Sequence, residues 1–178
     1  MLRGRPRTRA DLIRQPRSAR PNALWLVIVD ASASTRRHQA LSQAKGVLAQ
    51  LFDDAYRARA RLALLTASGG TPRWQRQGLK ASPALQPWLE ALGAGGGTPL
   101  FDALEQASTW LRQRQKRHPA ESQRVLVLTD GRIKQMPPLA GFDCPSLVID
   151  MELGPIRLGR AADIATMIGA EYRHVREL

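Results

Sequence analysis

Six consecutive apolar residues, Leu24-Trp25-Leu26-Val27-Ile28-Val29, stop at a carboxylate, Asp30. An unalternating run of that length reads as a strand buried on both faces, and such a strand needs a covering layer on each side. Beyond it the chain places Asp30, Ser32 and Ser34 at alternate positions. In an open α/β sheet, ligands bind outside the carboxyl ends of the strands. Three hard oxygens at that edge suit a hard cation such as Mg2+ or Mn2+.

The rest of the chain supplies the covering layers. Ala40, Leu41, Ala44, Val47, Leu48, Leu51, Phe52 and Ala55 recur at helical spacing and predict a helix over about 36–57. Arg61 to Ala67 predicts a second strand, and Arg73 to Gln77 a short edge strand carrying Trp74. Pro83 to Leu92 predicts a short helix with Ser82 as its cap. Leu100, Ala103, Leu104, Ala107, Trp110 and Leu111 mark one face of a helix over about 100–117, with Thr98 as a cap and Pro99 at the first helical position. Further strands are expected at Arg124–Thr129, Ser146–Asp150 and Glu171–Val175, with a helix over 159–169. Strands alternating with helices predict a doubly wound, mainly parallel α/β sheet covered on both faces.

Of the net charge of +12, residues 1–20 contribute +6 through seven arginines and one acid, Asp11. With Pro6, Pro16 and Pro21 breaking any helix, residues 1–22 are expected to form a basic, flexible leader, and 23–178 the folded domain. The leader is either solvated or a contact for an acidic partner. It has no aromatic residue to stack on bases, which argues against single-stranded nucleic acid. No apolar run is long enough to span a membrane, and the N-terminus lacks a signal-peptide core, so a cytoplasmic location is expected. Cys144, the one cysteine, reads as a small buried hydrophobe.

Three remote segments stand out at strand ends or in a glycine loop: Asp30-x-Ser32-x-Ser34, Gly95-Gly96-Gly97-Thr98-Pro99 and Thr129-Asp130-Gly131. A doubly wound sheet brings all three to one edge. Each offers hydroxyl or carboxylate oxygen and none offers histidine or thiol, which favours Mg2+ over zinc. Taken singly, each also has an ordinary structural reading: an Asx turn, a helix cap, a tight glycine turn.

Together they resemble the von Willebrand factor A domain and its metal-ion-dependent adhesion site. Asp30, Ser32, Ser34, Thr98 and Asp130 match that motif residue by residue. The resemblance implies that Ser32 and Ser34 bind the metal directly, that Thr98 is a ligand that can switch, and that Asp30 and Asp130 supply charge and orientation. It also implies that a partner's carboxylate completes the coordination. Within the superfamily, Gly95 to Leu100, Thr129 to Arg132 and the tail from Asp150 through Arg160 to Tyr172 resemble the C-terminal domain of magnesium chelatase D subunits and related cobaltochelatase subunits. Ala33, Ser34 and Thr35 stand where that family usually has Gly and Ser-Met.

That likeness implies an Mg2+-dependent interaction subunit of a tetrapyrrole metal chelatase, docking to an AAA+ ATPase and a large chelatase subunit. Arg132, Arg157 and Arg160 are candidate partner contacts. The alternative is a metal-dependent adaptor for a MoxR-type AAA+ ATPase. An enzyme in its own right finds less support. A phosphatase of the haloacid-dehalogenase type wants a second carboxylate where Ser32 stands, no nucleophile elbow is present, and the glycine loop lacks the Lys-Ser/Thr of a P-loop. No catalytic residue is assigned. His38, His118 and His174 read as helix-end or terminal residues, Trp25 and Trp110 as core, and Trp74 and Trp88 as either core or interface.

Overall fold

The structure is a computed structural model that describes residues 22–31, 40–80, 86–93, 97, 99–133 and 135–178. Residues 1–21 of the leader, Ser32, Ser34, Thr35, His38, Ser82 and Thr98 lie outside the described residues. The elements run β1 (Ala23–Asp30), α1 (Ala40–Arg57), β2 (Arg61–Ala67), β3 (Arg73–Lys80), α2 (Gln86–Ala91), α3 (Leu100–Arg117), β4 (Ser122–Thr129), β5 (Ser146–Asp150), α4 (Arg160–Ile168) and β6 (Glu171–His174), then a 3-10 turn, Val175–Glu177.

The six described strands form one sheet in the order β3-β2-β1-β4-β5-β6. Every neighbouring pair is parallel except β2 and β3, which run antiparallel. This is the doubly wound α/β architecture that the alternating pattern predicts. The central strands are apolar on both faces because both faces are covered. Leu24, Leu26 and Ile28 of β1 join Val125 and Val127 of β4 beneath α3 and α4. Val27 and Val29 join Leu62, Leu64, Leu126 and Leu128 beneath α1 and α2. The two-residue alternation of a strand thus divides one apolar run between two cores.

The helices meet these cores through the stripes read from the sequence. Ala44, Leu48, Leu51, Phe52 and Ala55 of α1 are buried on one side of the sheet. Leu100, Ala103, Leu104, Ala107 and Leu111 of α3 are buried on the other. A fully buried leucine contributes about 1.5–3 kcal/mol through removal of its surface from water. No described helix is long and apolar enough to cross a membrane.

Several boundaries differ from the sequence reading. Strand β3 extends to Lys80. Strand β4 starts at Ser122; its opening residues alternate exposed Ser122, buried Gln123 and exposed Arg124, which hides the start from an apolar-run criterion. Pro99 occupies the cap position of α3 and not its first turn. Trp25 is half-buried and not sealed in the core: it packs against the α1-side cluster with the Arg124 guanidinium 5.3 Å from its ring. Trp110 and Trp74 are likewise partly buried, 5.0 Å apart between ring centroids.

Candidate metal centre

The topology creates the site before any side chain is considered. β1 and β4 are parallel neighbours in the middle of the sheet. The helix that leaves β1 covers one face, and the helix that enters β4 covers the other. Their carboxyl ends therefore open a crevice at the point where the winding reverses, the usual ligand position in such sheets. Asp30 ends β1 and Asp130 follows β4 directly; both are buried, at 3% and 4% exposure.

The register Val29↔Leu128 carries Asp30 alongside Thr129. The Thr129 hydroxyl, itself fully buried, donates to Asp30 Oδ2 at 2.8 Å. The Thr129 hydroxyl oxygen in turn accepts the Gly131 N–H at 3.0 Å. Asp130 Oδ1 accepts the Arg132 N–H at 3.0 Å, closing a turn around the carboxylate. These bonds orient both carboxylates at the crevice.

The glycine in Thr-Asp-Gly has a double reason. Gly131 has φ of +66°, and a Cβ there would lie 2.7 Å from the Ala161 backbone nitrogen. Only glycine permits both the left-handed turn and the close approach of the N-terminus of α4. Gly97 reaches the same edge of the sheet. Gly97 lies against the β2–β3 turn, where a Cβ would be 3.1 Å from the Gly69 carbonyl oxygen. Gly97 and Pro99 also line a cleft with Arg132 and Ile133, beside the exit of β4.

The structure thus brings Asp30, Asp130, Gly97 and Pro99 to one edge. Ser32, Ser34 and Thr98, the other candidate ligands, lie outside the described residues. Among the described residues, no three His, Cys, Asp or Glu side chains gather as a metal cage. A cation here would draw on the two aspartates plus hydroxyl oxygens, a hard donor set that fits Mg2+ or Mn2+.

Residues 25–132 match the family described as the von Willebrand factor type A domain. The chain belongs to that family. Among curated relatives, this von Willebrand factor A domain is 29% identical to an uncharacterized protein of Mycobacterium tuberculosis, over 94% of this chain and 28% of that protein. It is 31% identical to the magnesium-chelatase 60 kDa subunit of Rhodobacter capsulatus, over 69% of this chain and 21% of that subunit. It is 27% identical to the magnesium-chelatase 67 kDa subunit of Chlorobaculum tepidum, over 84% of this chain and 28% of that subunit. The chain therefore spans little more than a quarter of these relatives at most. Its fold is similar to that of a von Willebrand factor type A protein from Catenulispora acidiphila (TM-score 0.61, 20% identity, 86% of this chain and 38% of that one). It is also similar to the SpRpn10 VWA domain (TM-score 0.60, 12% identity, 86% and 87% coverage).

A second buried polar network in this domain sits beside the crevice, at the carboxyl end of β5. Asp150 and Glu152 are 1% and 2% exposed. Asp150 accepts the Tyr172 hydroxyl at 2.7 Å and the Glu152 N–H at 2.8 Å. The Glu152 carboxylate accepts the Leu158 N–H at 2.8 Å and meets the Arg132 guanidinium at 3.3 Å. The Arg176 N–H donates to His174 Nδ1, which leaves Nε2–H to donate to the Glu152 carbonyl at 3.0 Å. Burial, then the hydrogen bond and charge of Asp150, pushes the Tyr172 phenol up to about 12. Burial, then the Asp143 charge, pushes the half-buried Cys144 thiol up to about 11, as expected for an inert, packed cysteine.

The three candidate partner-contact arginines have different surroundings. Arg132 is half-buried and paired with Glu152. Arg160 opens α4 and donates to the Ile133 carbonyl. Arg157 is exposed. Thr129, Asp150 and Glu152 fall in segments quoted from the sequence but received no site role there. Asp150 carried a usable signal, since like Asp30 it is an acid at the end of an apolar strand.

Proposed function

We propose that this domain is an Mg2+-dependent docking subunit of an ATP-driven tetrapyrrole metal chelatase. The observation that carries the reading is the pair of buried carboxylates, Asp30 and Asp130, at adjoining carboxyl ends of β1 and β4. The similarity to two magnesium-chelatase subunits supports the chelatase assignment. In this reading Ser32, Ser34 and Thr98 hold Mg2+ or Mn2+, with Asp30 and Asp130 supplying charge and orientation. Held back from direct coordination, the aspartates leave the ion electrophilic, and it offers an open position to a carboxylate of an AAA+ ATPase partner. The metal that the complex inserts is substrate and is distinct from this ion. A large chelatase subunit is the further partner.

Affinity capture from native lysate, with Mg2+ and with EDTA, tests the proposal. The expected result is Mg2+-dependent recovery of an ATPase together with a large chelatase subunit, lost in Asp30→Ala. Equal recovery by Asp30→Ala in EDTA overturns metal-dependent docking. Recovery of an ATPase without a chelatase subunit overturns the tetrapyrrole assignment.

A further inference from the structure

Beside the crevice lies a cleft of about 580 Å3, within the size range that accepts a small ligand or a pair of side chains. Pro99, Phe101, Ile133 and Pro137 give it apolar surface. Among the described residues, Arg132 and Asp102 are its charged groups. A guanidinium carries five N–H donors, and among the described residues the Arg132 guanidinium spends one of them, on Glu152. Because Glu152 is almost fully buried and also holds the Leu158 N–H, it pins the guanidinium in place. The remaining donors belong to a cation that lines the cleft, fixed and already partly ordered, so a ligand carboxylate gains a charge-assisted bond at reduced entropic cost.

We propose that this cleft receives a segment of the docking partner in which an acidic residue flanks an aromatic or large aliphatic one. The apolar side chain packs on Phe101 and the prolines, and the acid bonds Arg132. Asp102, exposed in the first turn of α3, also lines the cleft and repels an acid, which leaves Arg132 as the position for the segment's carboxylate. The same carboxylate and the apolar floor disfavour a polyanion such as nucleic acid. The net charge of +12 favours encounter with an acidic segment. The inference rests on the docking reading above, which it deepens: one partner acid reaches the metal edge, and a second, near a ring, reaches Arg132.

The test is an NMR titration of the isotope-labelled full chain with acetyl-Glu-Phe-Glu-amide, in Mg2+ and in EDTA. Acetyl-Gln-Phe-Gln-amide and acetyl-Glu-Ala-Glu-amide serve as controls. The expected result is movement of the Arg132 side-chain signal, the Ile133 and Gln135 amides and the Phe101 ring, retained in EDTA. Each control peptide should bind about tenfold more weakly, the size of effect expected for losing one charge-assisted bond or one packed ring. Arg132→Gln should erase the preference for Glu over Gln; should that variant not fold, the peptide comparison on the native chain decides. Unmoved cleft signals, or equal binding of the Gln peptide, overturn the cleft proposal. Mg2+ alone is titrated separately. An Mg2+ response at the Asp30 and Asp130 amides without a peptide response sinks the cleft alone, whereas peptide binding without any Mg2+ response sinks the metal reading alone.

Discussion

Thr129 and Asp30 are 99 residues apart in sequence, and the Thr129 hydroxyl donates to Asp30 Oδ2 at 2.8 Å inside the protein. That bond ties β4 to β1 at the reversal of the winding and holds one carboxylate of the crevice. The hydroxyl also accepts the Gly131 N–H. Thr129→Val keeps the shape but removes both bonds, so it should destabilise the fold by about 2 kcal/mol. Thr129→Ser should restore most of the loss. Urea denaturation measures this, and unchanged stability of the valine variant would falsify the role given to the bond. If the crevice binds Mg2+, calorimetry should show weaker uptake by the same variant.

Gly131 and Gly159 both have positive φ, but only Gly131 faces backbone at close range. Gly159→Ala should cost about 1 kcal/mol from conformation alone. Gly131→Ala adds a clash with the start of α4 and should cost at least about 2 kcal/mol. Denaturation midpoints of the two variants compare them directly. Equal losses would mean that the approach of α4 is not tight.

Glu152 joins the start of α4 to Arg132. Glu152→Ala leaves the Leu158 N–H and Arg132 without that acceptor, and should cost about 3 kcal/mol. Glu152→Gln keeps a carbonyl oxygen for the N–H and should cost less than half as much. Hydrogen exchange at the Leu158 amide should accelerate in the alanine variant more than in the glutamine one. Protection that survives Glu152→Ala rules out the bond as the restraint.

Alkaline pH should weaken the fold. The Tyr172 phenol titrates at about 12 in the folded chain against 10.0 ordinarily, so between those values the folded state holds more protons than the unfolded one. Stability from this group is full below about pH 10 and declines as pH rises toward about 12. The Cys144 thiol acts in the same direction, from 9.0 to about 11. In a Cys144→Ala background, Tyr172→Phe should show a flatter loss of the urea midpoint between pH 10 and 12 than the tyrosine parent does. Parallel curves would exclude Tyr172 as a source.

Much of the architecture was legible in the residues. The Leu24–Val29 run announced a strand covered on both faces, and the stripes of α1 and α3 announced what covers it. Asp30 and Asp130 could be placed at strand ends for the same reason, since a carboxylate that stops an apolar run marks where the core stops. Trp25 was misplaced as core because a strand's periodicity says which face a side chain takes, not how far the neighbouring helix extends over it. Strand β4 was read two residues short because its opening residues alternate.

By itself, the order of amino acids determined the elements, their buried faces and the chemical types gathered near the strand ends, because those depend on local spacing and on hydrophobicity. Tertiary structure alone decided that Thr129 holds Asp30, that Glu152 pins Arg132 and that Gly131 must yield space to α4. Each of these contacts depends on strand order and register, which bring distant segments within hydrogen-bonding or van der Waals range and leave no trace in either segment's own pattern.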